Sequence, residues 1–213
     1  MTAVGQFLQS PLGFLENNII VVGFDGIEHD PLNARIETMT FVTKPAQQGE
    51  ARQMGRTLGL YFAVPQGMVG ALPGVIPDGR TFNAYFCPYR QNDTLGTTVS
   101  NRADFMFTAT MDGCSLGVGN AAPDGSRLIY HSNLGGNQNQ QDTTLRFVMG
   151  ATFGTAFNPS AYRFEYGQGV LKSTTMGIRS KTSRQWSFLS QIYFEDRQAN
   201  PRRYYLREIK DIA

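Results

Sequence analysis

Apolar runs in this chain are short, and turn signals cut them at close intervals; nothing else constrains the fold as much. Asp25-Gly26, Asp78-Gly79 and Asp124-Gly125 are turn dipeptides, and the chain carries 23 glycines. Such punctuation predicts many short strands and tight turns rather than long helices. Candidate strands are Ile19–Phe24, Arg35–Thr43, Leu58–Val64, Thr81–Pro88, Asp104–Met111, Ser115–Gly119, Arg127–Ser132, Tyr162–Tyr166, Val170–Arg179 and Trp186–Phe194. In one of them Phe105, Phe107, Ala109 and Met111 alternate with Met106, Thr108 and Thr110, the pattern of a strand buried on one face.

Helical segments are fewer. Val4–Glu16 has apolar content but is broken by Pro11 and Gly13, and Glu50–Leu58 reads as a short helix. Thr143–Ala151 fits helix or strand, and Tyr204–Asp211 fits a terminal helix or an edge strand. Gly135–Asp142 is rich in Asn and Gln and reads as an exposed loop, with the lip of a site just after His131 as the alternative. No repeat or shift in composition divides the chain, so residues 1–213 are expected to form one domain.

Composition excludes several functional classes. The chain is 41% hydrophobic, enough for a real core, which argues against disorder. Its 19 basic and 17 acidic residues leave a net charge of +2, which favours neither nucleic acid nor an acidic membrane surface. Arg197, Arg202, Arg203 and Arg207 are interleaved with Glu195, Asp196, Glu208 and Asp211 and read as a solvated surface. The N-terminus lacks the basic and apolar regions of a Sec-type signal, and no stretch is long enough for a transmembrane helix. There is no metal-ligand cluster, and no cofactor is expected. Two cysteines do not make a disulfide framework; a Cys87–Cys114 bridge competes with the simpler reading of Cys87 as a small buried residue in the strand FNAYFCPY.

The chemistry concentrates in Asp104–Asn133, which holds one of the two cysteines and one of the two histidines. Asn120–Ser126, NAAPDGS, supplies a turn between the Cys114 and His131 runs. The midpoint of 114 and 131 is 122.5, inside that turn, so folding it as a hairpin sets the two residues opposite each other. A thiol beside an imidazole is the core of an activated cysteine nucleophile. Thr108 and Thr110, on one face of the preceding strand, are both candidates to orient the imidazole. Small residues flank Cys114, so the backbone N–H groups of Gly113 and Ser115 are candidate oxyanion donors. The Asp112-Gly113 turn would expose the thiol, and Leu116, Phe157 and Tyr162 are candidates for the mouth of the site.

The segment FTATMDGC resembles the cytotoxic necrotizing factor and Burkholderia lethal factor family of glutamine deamidase toxins. Gly113-Cys114 matches the family's Gly-Cys core, and Phe107-Thr108 stands where the lethal factor has an aromatic residue and its catalytic Thr, six residues before the Cys. His131 follows an apolar strand, as the family's His does, and Trp186-Ser187 is a weaker echo. Met111-Asp112 replaces the family's Leu-Ser, and the 17-residue Cys-to-His spacing is longer than in the lethal factor. The resemblance implies an α+β fold: a β-rich sandwich of mixed sheets flanked by short helices and loops. It implies Cys114 as nucleophile, His131 as general base and acid, and Thr108 as orienting hydroxyl. It further implies a toxin made in the bacterial cytoplasm without a Sec-type signal, then delivered to a host protein carrying the target glutamine. Other cysteine acyl-transfer chemistry (transglutaminase, amidase or peptidase) and a non-enzymatic β-rich binding protein remain open.

Overall fold

A computed structural model describes residues 1–23, 35–44, 51–135, 137–163, 165–166 and 169–213. The elements are α1 (Ala3–Gln9), α2 (Pro11–Asn17), β1 (Asn18–Val22), β2 (Arg35–Thr43), β3 (Ala51–Gln53), β4 (Arg56–Pro65), β5 (Ile76–Pro77), β6 (Phe82–Cys87), β7 (Asp93–Val99) and β8 (Phe105–Thr108). They continue with β9 (Ser115–Gly119), β10 (Arg127–Asn133), α3 (Gln138–Met149), β11 (Phe153–Phe157), β12 (Glu165–Tyr166), β13 (Gly169–Arg179), β14 (Trp186–Asp196) and β15 (Arg203–Asp211).

Among the described residues the larger sheet runs β1-β4-β3-β15-β14-β13-β8-β6-β2-β5, and β2 also pairs with β4. That last pairing closes the strands from β4 round to β2 into a barrel. The sheet is mixed: β1–β4, β3–β15 and β6–β8 are parallel, and the other neighbours are antiparallel. A second, antiparallel sheet, β11-β9-β10-β7, packs against the barrel. The protein is thus mixed α+β and strand-rich, but a barrel replaces one layer of the expected sandwich. Closure removes the edges that an open sheet would leave unpaired.

Pro11 does not break the N-terminal helix so much as start a second one. It occupies the first turn of α2, where its missing N–H is not needed, while the Ser10 N–H closes α1 on the Gln6 carbonyl. The start of α1 is held by Thr2, whose hydroxyl accepts from Gly5 N–H, and by Asp78, whose carboxylate accepts from Ala3 and Val4 N–H at 2.7 and 3.0 Å. This delivers Phe7 into a cluster where its ring meets Phe14, Phe41, Phe82, Phe105 and Phe107. Gln191 of β14 is buried; its amide accepts from Ile20 N–H and donates to the Leu15 and Asn18 carbonyls, tying α2 and β1 to the barrel.

The second sheet buries both faces. Leu116, Val118 and Ile129 pack on Tyr85, Met106, Trp186 and Phe188 of the barrel. On the other face, a Cβ at Gly117 would lie 2.8 Å from Met149 Sδ and 2.9 Å from Leu145 Cδ2, so only glycine lets α3 approach so closely. Strand β8 is sandwiched between two cores: Phe105 and Phe107 join the Phe7 cluster, while Met106 joins the cluster beneath the second sheet. The expectation of a strand buried on one face is corrected; every residue of β8 is buried.

Four further expectations change. Residues 51–58 form a β-hairpin rather than a helix. Gln53 pairs with Arg56 across Met54 and Gly55, both at positive φ (47° and 84°), the backbone of a tight hairpin turn. The Asn/Gln tract is the start of α3, with Asn137 as N-cap, because Gln141, Leu145 and Met149 recur at helical spacing on the buried side. Tyr162 follows a 3-10 turn at Pro159–Ala161, and among the described residues of the predicted strand Glu165–Tyr166 are extended; Phe164 lies outside the described residues. Residues 203–211 are a strand flanked by β14 and β3, not an edge. Strand β8 also stops at Thr108, short of the predicted Met111, which bridges singly to Ser173. Phe24 and the Asp25-Gly26 dipeptide lie outside the described residues.

Candidate active site

The hairpin carrying Cys114 and His131 turns at Ala122–Gly125. Gly125 N–H donates to the Ala122 carbonyl, Ala122 N–H donates to the Ser126 carbonyl, and Gly125 has φ +80°. Pro123 and Asp124 therefore take the two central positions, and the axis falls at 123.5 rather than 122.5. His131 consequently pairs with Leu116, and Ser132 with Ser115. The direct Cys114–His131 pairing is thus corrected by two residues. A displacement of two preserves the face, because side chains alternate with period two. Cys114, Leu116, Val118 and Ile129 all belong to the cluster facing the barrel. Cys114 lies one residue before β9, beyond the last paired position, so it does not sit directly opposite His131.

Thr108 meets His131 directly. Its hydroxyl oxygen lies 2.6 Å from His131 Nδ1 and 3.1 Å from the Cys87 carbonyl oxygen. A threonine hydroxyl has one hydrogen, and the Cys87 carbonyl can only accept. The hydroxyl therefore donates to Cys87 and accepts from His131 Nδ1–H. That assignment leaves Nε2 as the unprotonated nitrogen. Nε2 is buried and has no hydrogen-bond partner among the described residues. The Tyr89 ring lies 5.0 Å from the imidazole, and its hydroxyl accepts from Asn133 Nδ2 at 2.8 Å.

Two side chains clamp the Cys114 segment. The Tyr162 hydroxyl accepts from Gly113 N–H (2.9 Å) and donates to the Cys114 carbonyl (2.8 Å). Gln141 reaches from α3, donating to the Gly113 carbonyl (2.9 Å) and accepting from Ser115 Oγ (2.5 Å). Of the two expected oxyanion donors, Gly113 N–H is engaged by Tyr162, while Ser115 lies in β9 with its hydroxyl turned to Gln141 of α3. Leu116, Phe157 and Tyr162 are buried and line no mouth. Both cysteines are free, so there is no Cys87–Cys114 bridge. Thr110 takes a structural role, donating or accepting with Thr174 and accepting from Val22 N–H.

Burial governs the electrostatics. Cys114 is 3% exposed, so the Asp-Gly turn does not present the thiol to solvent. Burial, reinforced by the Asp112 charge, pushes the thiol up to about 12; a backbone hydrogen bond at Asp112 and the Arg163 charge pull the other way. Burial pushes His131 down to about 3. Cys87 is driven up to about 12, again by burial. At neutral pH the site therefore holds a neutral thiol and a neutral imidazole, not an ion pair.

A cleft of about 430 Å³ opens over this segment, lined by Tyr89, Gln91, Asn92, Asp112, Gly113, Asn133, Gly135 and Arg163. Gly113 forms part of its wall, one residue from the nucleophile candidate. Among the described residues no three His, Cys, Asp or Glu side chains gather as a metal site requires. Gln141 and Tyr162 are the positions where sequence reading fell short. The helical spacing of Gln141, Leu145 and Met149 was a usable signal for the first, whereas Tyr162 reaches its partners only through the fold. No protein-family model matches the chain, and no curated protein matches it.

Proposed function

We propose that the protein is a cysteine-dependent amidohydrolase that converts a glutamine of a target protein to glutamate. The observation that carries the reading is the Thr108–His131 contact, which holds the imidazole in the tautomer that leaves the Nε2 lone pair bare, on the strand paired with the one that Cys114 leads into. An imidazole held in one tautomer by a neighbouring oxygen is the arrangement a general base needs.

In this reading a water bridges the thiol and the imidazole, and His131 Nε2 takes up a proton through it as the Cys114 sulfur, losing its own, attacks the side-chain amide carbon. Both groups rest neutral, so proton transfer accompanies attack instead of preceding it. The amide oxygen becomes an oxyanion. His131 then gives the proton to the amide nitrogen, ammonia leaves, and a thioester joins Cys114 to the substrate. Water, deprotonated by the same imidazole, attacks the thioester and releases glutamate and the thiol. No cofactor enters these steps. The cleft is small enough to admit a side chain in preference to a folded segment. The likeness of FTATMDGC to deamidase toxins supports the same chemistry and extends it to a host protein as target and a bacterial effector as the enzyme. A new carboxylate at a switch glutamine would disable the target through charge alone.

The near-complete burial of Cys114 and His131 favours a second reading, a β-rich binding protein in which both are packing. Intact mass of candidate target proteins, incubated with wild type and with Cys114→Ser, separates the two. The proposal expects the mass gain of replacing an amide NH2 by OH, with equimolar ammonia, in the wild-type reaction only. Incorporation of an added primary amine would mark a transglutaminase, and peptide-bond cleavage a peptidase. Unchanged targets together with equal, slow labelling of Cys87 and Cys114 would establish the binding-protein reading.

A further inference from the structure

We propose that Arg163 supplies the positive charge that stabilises the oxyanion and the attacking sulfur, the task that sequence reading gave to backbone N–H groups. The inference rests on the amidohydrolase reading and adds a catalytic residue to it.

One of the expected backbone donors is occupied, since Gly113 N–H donates to Tyr162. The adjacent residue replaces it. Arg163 is fixed by the 3-10 turn at Pro159–Ala161, where its N–H donates to the Pro159 carbonyl at 2.6 Å. Tyr162, its neighbour, is bound to both sides of the Gly113–Cys114 peptide. One short segment thus places a clamp and a guanidinium together at the nucleophile. Arg163 Nη1 lies 3.0 Å from where a Cβ on Gly113 would be, and Gly113 has φ +146°. Glycine is needed there twice over: for the backbone angle, and to let the guanidinium lie against the chain.

The guanidinium is exposed, lines the cleft, and makes no hydrogen bond or ion pair among the described residues. A planar cation with donors to spare, beside the reacting sulfur, suits an oxygen that acquires charge during attack. Asp112 lines the same cleft and opposes this effect at the thiol, so the electrostatics of attack depend on the balance of the two. Tyr89 and Asn133 line the cleft as well, joined by the hydrogen bond from Asn133 Nδ2 to the Tyr89 hydroxyl.

The test compares wild type with Arg163→Gln and Arg163→Lys in two assays. One is the pH profile of Cys114 alkylation by iodoacetamide, with Cys114→Ser defining the signal and Cys87 as internal reference. The other is ammonia release from a glutamine-containing peptide. The expected result for Arg163→Gln is an alkylation profile moved to higher pH, a kcat lower by about 10²–10³, and a KM within a few-fold of wild type; Arg163→Lys recovers part of both losses. An unmoved alkylation profile, or a raised KM with unchanged kcat, overturns the proposal and leaves Arg163 a docking residue or a surface cation. No ammonia from the wild-type enzyme overturns the amidohydrolase reading itself, whatever Arg163 does to the thiol.

Discussion

Acid should destabilise this protein chiefly through one imidazole. His131 is buried, its Nδ1–H is bound to Thr108, and its Nε2 faces no acceptor. Protonation would place a charge and an unmatched N–H in the core. Burial accordingly lowers the folded-state value from 6.5 to about 3. The unfolded chain therefore binds the extra proton between these limits and the folded protein does not. By linkage, stability is fully present above pH 6.5 and is lost as pH falls toward 3. Moving from pH 6.5 to 4.5 within that window costs about 2–3 kcal/mol. Urea unfolding of wild type and His131→Asn at several pH values measures this. The variant should be less stable at pH 7, since it loses packing and the Thr108 bond. Its acid dependence should be flatter than that of wild type by about 2–3 kcal/mol across the window, with carboxylates and His29 cancelling in the difference. Parallel profiles, or an imidazole in the folded protein titrating near 6.5 by NMR and lost in His131→Asn, would show that burial of His131 does not carry the acid sensitivity.

Other substitutions probe the clamps and the core. Thr108→Val keeps the shape but leaves His131 Nδ1–H and the Cys87 carbonyl unmatched, and should lower unfolding free energy by about 2–4 kcal/mol in denaturant titrations. Tyr162→Phe retains the ring stacked 5.3 Å from Phe157 but frees Gly113 N–H; it should cost about 1–3 kcal/mol and speed hydrogen exchange at the Gly113 amide. Phe7→Ala empties the centre of a ring cluster contributed by both N-terminal helices and the barrel. Thermal and denaturant unfolding should report a loss of about 3–5 kcal/mol.

Much of the strand inventory was readable from local chemistry. Residues 35–43 and 115–119 are strands with the predicted bounds, because each is a β-prone run closed by residues that stop it. The hairpin linking Cys114 to His131 was readable for the same reason, since Pro, Asp and Gly stand where a type I turn with a glycine after it needs them. Local chemistry also misled. Residues 51–58 have no pattern that forbids a helix, and it is their pairing with β15 and the two positive-φ residues at the turn that make them a hairpin. The Asn/Gln tract looked like a loop because its buried side consists of one glutamine and two apolar residues spread over three turns.

Unaided, the chain's residues determined that it would be strand-rich and that Cys114 and His131 would share a hairpin. These follow from alternation, turn geometry and spacing, which act over a few residues. Barrel closure through β2 and β4, the two-residue offset between thiol and imidazole, and the placing of Tyr162, Gln141 and Arg163 around Gly113 were decided only in three dimensions. They join segments tens of residues apart. Burial did the same for the charges: it makes both the thiol and the imidazole neutral, and burial belongs to the packed fold rather than to any stretch of chain.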